Sequence, residues 1–180
     1  MKWTALTKSS GDDGSTSFAN KRVPKDYGAI KVLGEIDMLN ATIGMMALTP
    51  PGPWLQDVNR QIMGYIHTQG KTGNLENILI QLTDALQNYC ERLDDLDPDG
   101  PKGWANYTNA WFVACCQCRR VEALLVEISK ESHATYWDAE GKIRNCSPVY
   151  ADVFPKGHEK MLAIYNRMSK VLYCLGVIEE

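Results

Sequence analysis

Two periodic apolar segments follow each other in the first third of the chain, and both predict helices. Apolar residues that recur every three or four positions fall on one face of an α-helix. The first segment runs from about Asp26 to Ala47, and the second opens at Pro53, which suits the first turn of a helix. The expected buried positions are Ile30, Leu33, Ile36, Leu39 and Ile43 in the first helix, and Leu55, Val58, Ile62 and Ile66 in the second.

Three further helices are predicted downstream. Asn74 is expected to cap the third, the fourth runs from about Asn106 to Lys130, and Pro155 opens the fifth. The middle of the fourth segment is apolar nearly all round, which predicts a central position. The expected buried positions are Leu75, Ile78, Leu82, Leu86, Tyr89 and Leu93 in the third helix, and Met161, Leu162, Tyr165, Met168, Leu172 and Leu175 in the fifth.

The remaining segments show no strand pattern. Residues 1–27 are rich in Gly, Ser, Asp and Lys without apolar periodicity, so we predict a loop there, and residues 132–154 look irregular. Five helices with short links predict an all-α fold, a five-helix bundle of the ferritin-like, up-and-down type. We expect a single domain over residues 1–180, in which 1–27 form a flexible arm and 28–180 form the bundle.

Composition narrows the class of protein. A net charge of -3 argues against a broad nucleic-acid surface, and 44% hydrophobic residues are ordinary for a globular protein. No apolar run approaches the roughly 20 residues that span a bilayer. The start, MKWTALTKSS, lacks the apolar core of a signal peptide. We therefore expect a cytoplasmic protein with no membrane and no nucleic-acid partner.

Cysteine and histidine residues offer no metal site. Cys115 and Cys118 form a C-x-x-C inside a helical pattern, with no second cysteine pair or nearby histidine to complete a zinc site. We interpret both as reduced, buried residues that act as small apolar side chains. His67, His133 and His158 lie in different segments and form no ligand cluster.

The N-terminal arm contains the residue types of an anion site. Gly11 and Gly14 allow successive backbone N–H groups to point at one anion, and Asp12 can orient the loop, bind a ribose hydroxyl or hold Mg²⁺. The spacing is not that of a Walker A loop. The alternative is a solvated tail with Asx turns. The hydroxyl donors are Ser10, Ser15, Thr16 and Ser17, and the cations are Lys8, Arg22 and Lys25.

The fourth helix carries a second cationic group. Arg119 and Arg120 are adjacent, and Glu122 shares a face with Arg119. One interpretation is a surface ion pair. The other is a phosphate site, because the arginines lie where an apolar helix meets an edge and a carboxylate holds the guanidinium. Polar strips also interrupt the first helix, at Gly34, Asp37, Asn40 and Gly44, and the fifth, at Asn166, Arg167, Ser169 and Lys170.

These segments together resemble the PduO-type ATP:cob(I)alamin adenosyltransferases. Five motifs of that family are matched in order: T-K-S-S-G-D-D-G-S-T at 7–16, R-V-P-K-D at 22–26, L-G-E-I-D-M-L-N at 33–40, C-R-R-V-E-A at 118–123 and I-Y-N-R-M-S-K at 164–170. The resemblance implies a five-helix bundle, assembled as a homotrimer with ATP bound at the subunit interfaces.

The resemblance also implies the reaction. The 5′-deoxyadenosyl group of ATP, with Mg²⁺ on its phosphates, passes to cob(I)alamin, and triphosphate leaves. A corrinoid reductase or a B12-dependent enzyme is an implied partner. The catalytic residues would be Arg119, Asp37 and Asn166. The nucleotide site would consist of Thr7, Lys8, Ser9, Ser10, Gly11, Asp12, Gly14, Thr16, Ser17, Arg22 and Lys25 in the arm, completed by Arg119, Arg120, Glu122 and Asn166.

The corrinoid side of the resemblance departs from the family pattern. Cys115 stands where the family has an arginine that pairs with the aspartate corresponding to Asp37 across the interface, and Lys170 replaces an aspartate. Trp104, Tyr107 or Phe112 would replace the family's phenylalanine at the corrinoid. A second hypothesis is therefore a non-catalytic ATP-binding trimer that senses nucleotide or escorts a corrinoid, and a third is a purely structural bundle.

Overall fold

The chain folds mainly into helices. A computed structural model describes residues 14–46, 50–96, 109–131, 135–137, 143–145 and 157–178. The helices in these ranges are α1 (Gly28–Gly44), α2 (Gly52–His67), α3 (Leu75–Leu96), α4 (Ala110–Glu131) and α5 (His158–Ile178). The strands are β1 (Ser15–Phe18), β2 (Lys21–Pro24), β3 (Thr135–Trp137) and β4 (Ile143–Asn145). The predicted all-α, five-helix architecture is confirmed.

Asparagine side chains begin two of the helices. Asn74 Oδ1 accepts the backbone N–H of Asn77 at 3.1 Å, so the predicted cap of α3 is confirmed. Asn109 Oδ1 accepts the N–H groups of Trp111 and Phe112, at 3.1 and 3.4 Å, and so caps α4. The expected start of α4 near 106 lies outside the described residues. The amide of Asn109 also donates to the carbonyl of Gly176 at 2.8 Å, which ties the start of α4 to the end of α5.

Helix α5 packs against three other helices. It runs antiparallel to α4, where the thiols of Cys118 and Cys115 donate to the carbonyls of Tyr165 and Ser169, each at 3.2 Å. Towards α2, the hydroxyl of Tyr165 donates to Asn59 Oδ1 at 3.4 Å within the core. Its third neighbour is α3. Burial raises the pKa of the Tyr165 phenol well above its ordinary value, so the hydroxyl stays a donor at all ordinary pH values.

The predicted apolar stripes form the core. Every predicted position of α2 is buried, and those of α1 are buried except Ile30, which packs partly exposed against the core. The stripe of α3 is buried only in its first half, because Leu86, Tyr89 and Leu93 are partly exposed. In the part of the chain that is described, no helix has the length and hydropathy needed to cross a membrane.

The prediction of a loop throughout residues 1–27 was wrong for its second half. Strands β1 and β2 form an antiparallel hairpin with Ser15 opposite Pro24 and Phe18 opposite Lys21. Ala19 and Asn20 connect them with φ of 47° and 64°, the signs of a type I′ turn. Strands β3 and β4 pair in the same way within the segment expected to be irregular. Strands of three or four residues are too short to show an alternating pattern.

Candidate functional site

The N-terminal hairpin has one face on the core and one polar face. Since side chains alternate along a strand, Thr16 and Phe18 share one face, and Ser15 and Ser17 share the other. Phe18 is only 3% exposed, and its ring lies 5.9 Å from that of Tyr27 and 5.8 Å from that of His67, measured between centroids. These contacts fix the hairpin where α1 begins and α2 ends.

The polar face gathers a cation and hydroxyl groups. Arg22 lies opposite Ser17 in the hairpin register, and its guanidinium donates to the hydroxyl of Ser15. The backbone N–H of Lys25 donates to the carbonyl of Gly14 at 2.8 Å, which extends the pairing beyond the strands. Ser17 and Arg22 are exposed, so this face can meet an anionic ligand, and Lys25 is exposed just beyond the end of β2.

The predicted residues of the arm are only partly within the structure. Gly14 has φ +76° and open space where a Cβ would lie, which fits a glycine that turns the chain into β1. Thr16, although predicted to bind nucleotide, lies on the core-facing side of the hairpin with Phe18. The predicted residues outside the described ranges are Thr7, Lys8, Ser9, Ser10, Gly11 and Asp12.

The two adjacent arginines of α4 point to different neighbours. Arg120 forms an ion pair with Glu35 of α1, with 2.7 Å between Nη2 and Oε1, and the two side chains are 66% and 17% exposed. Arg119 is exposed one position earlier, rotated by about 100° around the helix. Glu35 is seven residues into α1, so the pair lies about 10 Å along that helix from the hairpin end.

Arg119, Glu122 and Asn166 lie around the contact between α4 and α5. The hydrogen bond from Cys118 to the carbonyl of Tyr165 fixes the level of the two helices, and Asn166 follows Tyr165 directly. Burial raises the pKa of the Cys118 thiol well above its usual range, and the nearby negative charge of Glu122 raises it further while Arg119 lowers it. Among the described residues, Glu122 Oε1 is buried and finds no hydrogen-bond donor.

Asp37 lies on the exposed side of α1. It is exposed on α1, between the buried Ile36 and the exposed Met38. Of the polar strip predicted on α1, Gly34 is exposed with open space around it, Asn40 is partly buried and Gly44 lies against the side chain of Gln56. Asp37 therefore points to solvent from α1 rather than into the core.

Cys115 is a core residue. It is 3% exposed, its thiol donates to the Ser169 carbonyl, and burial raises its pKa. The interpretation of Cys115 and Cys118 as buried and reduced is confirmed, whereas their neighbour Cys116 is exposed. Phe112, one candidate for contacting the corrinoid, is also a core residue and packs edge-on against Tyr173 at 5.8 Å. Trp104 and Tyr107 lie outside the described residues.

Sequence reasoning missed Glu35 and Phe18. Glu35 pairs with an arginine 85 residues away, and no local spacing signals such a contact. Phe18 could have been predicted to be buried, since it is the only large apolar residue in the polar sequence segment 7–22. Within the described ranges, no group of three or more His, Cys, Asp or Glu residues is placed to hold a metal ion.

The fold and the site define a helical bundle that carries a cationic, hydroxyl-bearing hairpin at one end, an arrangement suited to a small polyanionic ligand. The comparisons identify the family. The cobalamin adenosyltransferase family matches over residues 6–179, and the chain belongs to that family. The resemblance seen in the sequence motifs is thereby confirmed. No curated protein sequence matches the chain.

Solved structures show the same fold. One is a variant PduO-type ATP:corrinoid adenosyltransferase from Lactobacillus reuteri complexed with ATP, with a TM-score of 0.64, 17% identity and coverage of 94% of this chain and 91% of that one. A second variant from the same organism, complexed with cobalamin and ATP, has a TM-score of 0.56 and 17% identity and covers 95% and 88%.

Proposed function

We propose that this protein transfers the 5′-deoxyadenosyl group of ATP to cob(I)alamin, giving adenosylcobalamin and triphosphate. The observation that carries the proposal is the family match over residues 6–179, which spans both the hairpin and all the helices. Because cob(I)alamin is itself a strong nucleophile, the protein chiefly positions the ATP 5′ carbon and neutralises the leaving triphosphate.

The hairpin and α4 supply the groups for that task. Arg22 and Ser17 present a cation and a hydroxyl on the polar face of the hairpin, and Lys25 adds a second exposed cation just after β2. Residues 7–14 would join them around the triphosphate, with Mg²⁺ carried on the phosphates. Arg119 and Asn166 complete the nucleotide site from the bundle. Glu122 offers a carboxylate oxygen that has no donor among the described residues and would accept one from the bound nucleotide.

The nucleotide site is shared between subunits of a homotrimer in this proposal. Exposed stripes on α1 and α4 flank the Glu35–Arg120 pair, with Met38 one turn from Glu35 and Val113 two turns from Arg120. Both are large apolar side chains, 51% and 52% exposed, which favours a subunit contact there. Such a contact would also cover the exposed Asp37. We propose a cytoplasmic trimer that receives its corrinoid from a reductase or passes it to a B12-dependent enzyme.

An anaerobic assay tests the reaction. Full-length protein is mixed with Mg²⁺–ATP and chemically reduced cobalamin, and adenosylcobalamin is followed by its absorbance and its sensitivity to light. We expect product in proportion to triphosphate released, and none without ATP or with boiled protein. ATP binding without product would contradict the proposal and favour the second function, a nucleotide-sensing or corrinoid-escorting trimer. The buried Cys115, which places an uncharged thiol where the family motif has a cation, is the observation that favours that alternative.

A further inference from the structure

Helices α3 and α5 lie side by side in parallel and in register. Lys160, in the first turn of α5, forms an ion pair with Glu76, in the first turn of α3, and the two helices pack against each other. Cys90 and Cys174 each lie fourteen residues further along their helices. Fourteen residues are two heptads, so positions that meet at the start of a parallel pair meet again there. The backbone register therefore brings the two cysteines together.

The side chains bear out the register. Burial raises the pKa of the Cys174 thiol, and Cys90 lies near enough to raise it further through its charge and through side-chain hydrogen bonding. Cys90 is exposed, whereas Cys174 is 5% exposed and belongs to the inner side of the contact. An exposed thiol in contact with a buried one can be reached by a small oxidant from solvent and then attacked from inside by its partner.

We propose that Cys90 and Cys174 are an oxidisable dithiol that closes to a disulfide between α3 and α5 on exchange with a small-molecule disulfide such as oxidised glutathione. The Cys90 thiolate attacks the oxidant, forms a mixed disulfide and releases one thiolate. Cys174 then attacks the Cys90 sulfur and releases the second. Two protein thiols lose two electrons, the oxidant is reduced to two thiols, and these take up both protons.

The different exposure of the two thiols determines which of them reacts with the oxidant first. Burial raises the pKa of the Cys174 thiol to about 12, so this thiol is protonated at neutral pH and does not engage the oxidant first. Cys90 faces solvent, so the leaving thiol of the mixed disulfide also lies on the solvent side. The inner face of the Cys90 sulfur is then open to Cys174. Tyr89, whose pKa is raised by burial, lies near Cys174.

The test uses the full-length protein under native conditions. Protein reduced and freed of reductant is incubated with excess oxidised glutathione, quenched by alkylation, digested and mapped by mass spectrometry. We expect a cross-linked Cys90–Cys174 peptide, two fewer alkylatable thiols per chain, and a rise in Tm of about 5–10 °C that a reductant reverses. Cys174→Ser should stop at glutathione bound to Cys90, and Cys90→Ser should give neither product.

Cys116→Ser is the matched control, because Cys116 is an exposed cysteine on a different helix, and this variant should form the cross-link as the wild type does. The proposal is overturned if wild-type protein keeps both thiols, or if glutathione remains on Cys90 of the wild type without conversion to the cross-link. It is also overturned if Cys90→Ser gains the same Tm. None of these readouts depends on adenosyl transfer, so the result stands apart from the proposed function.

Discussion

Adjacent residues on a helix can make different contacts and have different functions, as Arg119 and Arg120 illustrate. Each step along an α-helix turns the side chain by about 100°, so the Arg-Arg pair cannot serve one surface. Arg120 is paired with Glu35, which neutralises its charge at the α1–α4 contact. Arg119 shares a helix face with Glu122, and the charges of both act on the buried Cys118 thiol. The sequence motif predicts both as phosphate ligands, and we expect the larger contribution from Arg119, because Arg120 lies at the α1–α4 contact with Glu35.

The two arginines should therefore differ in their effect on ATP. We expect Arg119→Met to raise the ATP Kd about 10- to 100-fold, the value of one charge-assisted contact to phosphate, and Arg120→Met to raise it less than about 3-fold. Equilibrium dialysis with Mg²⁺–ATP measures both. Arg60→Met is a suitable control, since Arg60 is an exposed arginine paired with Asp57 on α2. Equal losses at positions 119 and 120 would contradict this division.

At the scale of elements, helices were predictable and the hairpin was not. The stripe of α2, for example, repeats over about three turns, and its residues Leu55, Val58, Ile62 and Ile66 are all buried. Strand β1 has only four residues, too few to show an alternating pattern. The turn that follows it places Ala19 at φ 47°, and a positive φ is uncommon for alanine, so the sequence does not predict this turn. Partners distant in sequence, such as Glu35 for Arg120, were equally out of reach.

The hairpin should act as a unit that Phe18 attaches to the bundle. Phe18→Ala removes the ring that contacts Tyr27 and His67. Since a buried Phe→Ala change costs about 3–5 kcal/mol, the hairpin should detach while the helices stay folded. We expect faster proteolysis within residues 14–25, at least about 10-fold weaker ATP binding, and unchanged helical circular dichroism.

Phe18→Leu keeps most of the apolar contact and serves as the control. Its proteolysis and ATP affinity should remain close to those of the wild type. Full loss of helicity in Phe18→Ala, or unaltered ATP binding once the hairpin is cleaved, would contradict a separable nucleotide-binding unit.

At the scale of the whole molecule, the exposed apolar stripes of α1 and α4 mark the expected contact between subunits. Met38→Glu would place a carboxylate in that contact and should convert the proposed trimer to monomer, because an unpaired charge is costly to bury. Light scattering during size-exclusion chromatography measures the mass. Ile80→Glu is the matched control, since Ile80 is 52% exposed, close to the 51% of Met38, but lies on α3. A Met38→Glu variant that stays trimeric would rule out this surface.

The central position of α5 has a consequence for how the protein folds during its synthesis. This helix packs against α2, α3 and α4, yet it follows the other described helices in chain order and so leaves the ribosome after them. Until it emerges, α4 lacks the carbonyls that accept its Cys115 and Cys118 thiols, and Asn59 lacks the Tyr165 hydroxyl. Until α5 has been synthesised, these helices therefore keep apolar surface exposed to water. The bundle can pack completely only after α5 is available.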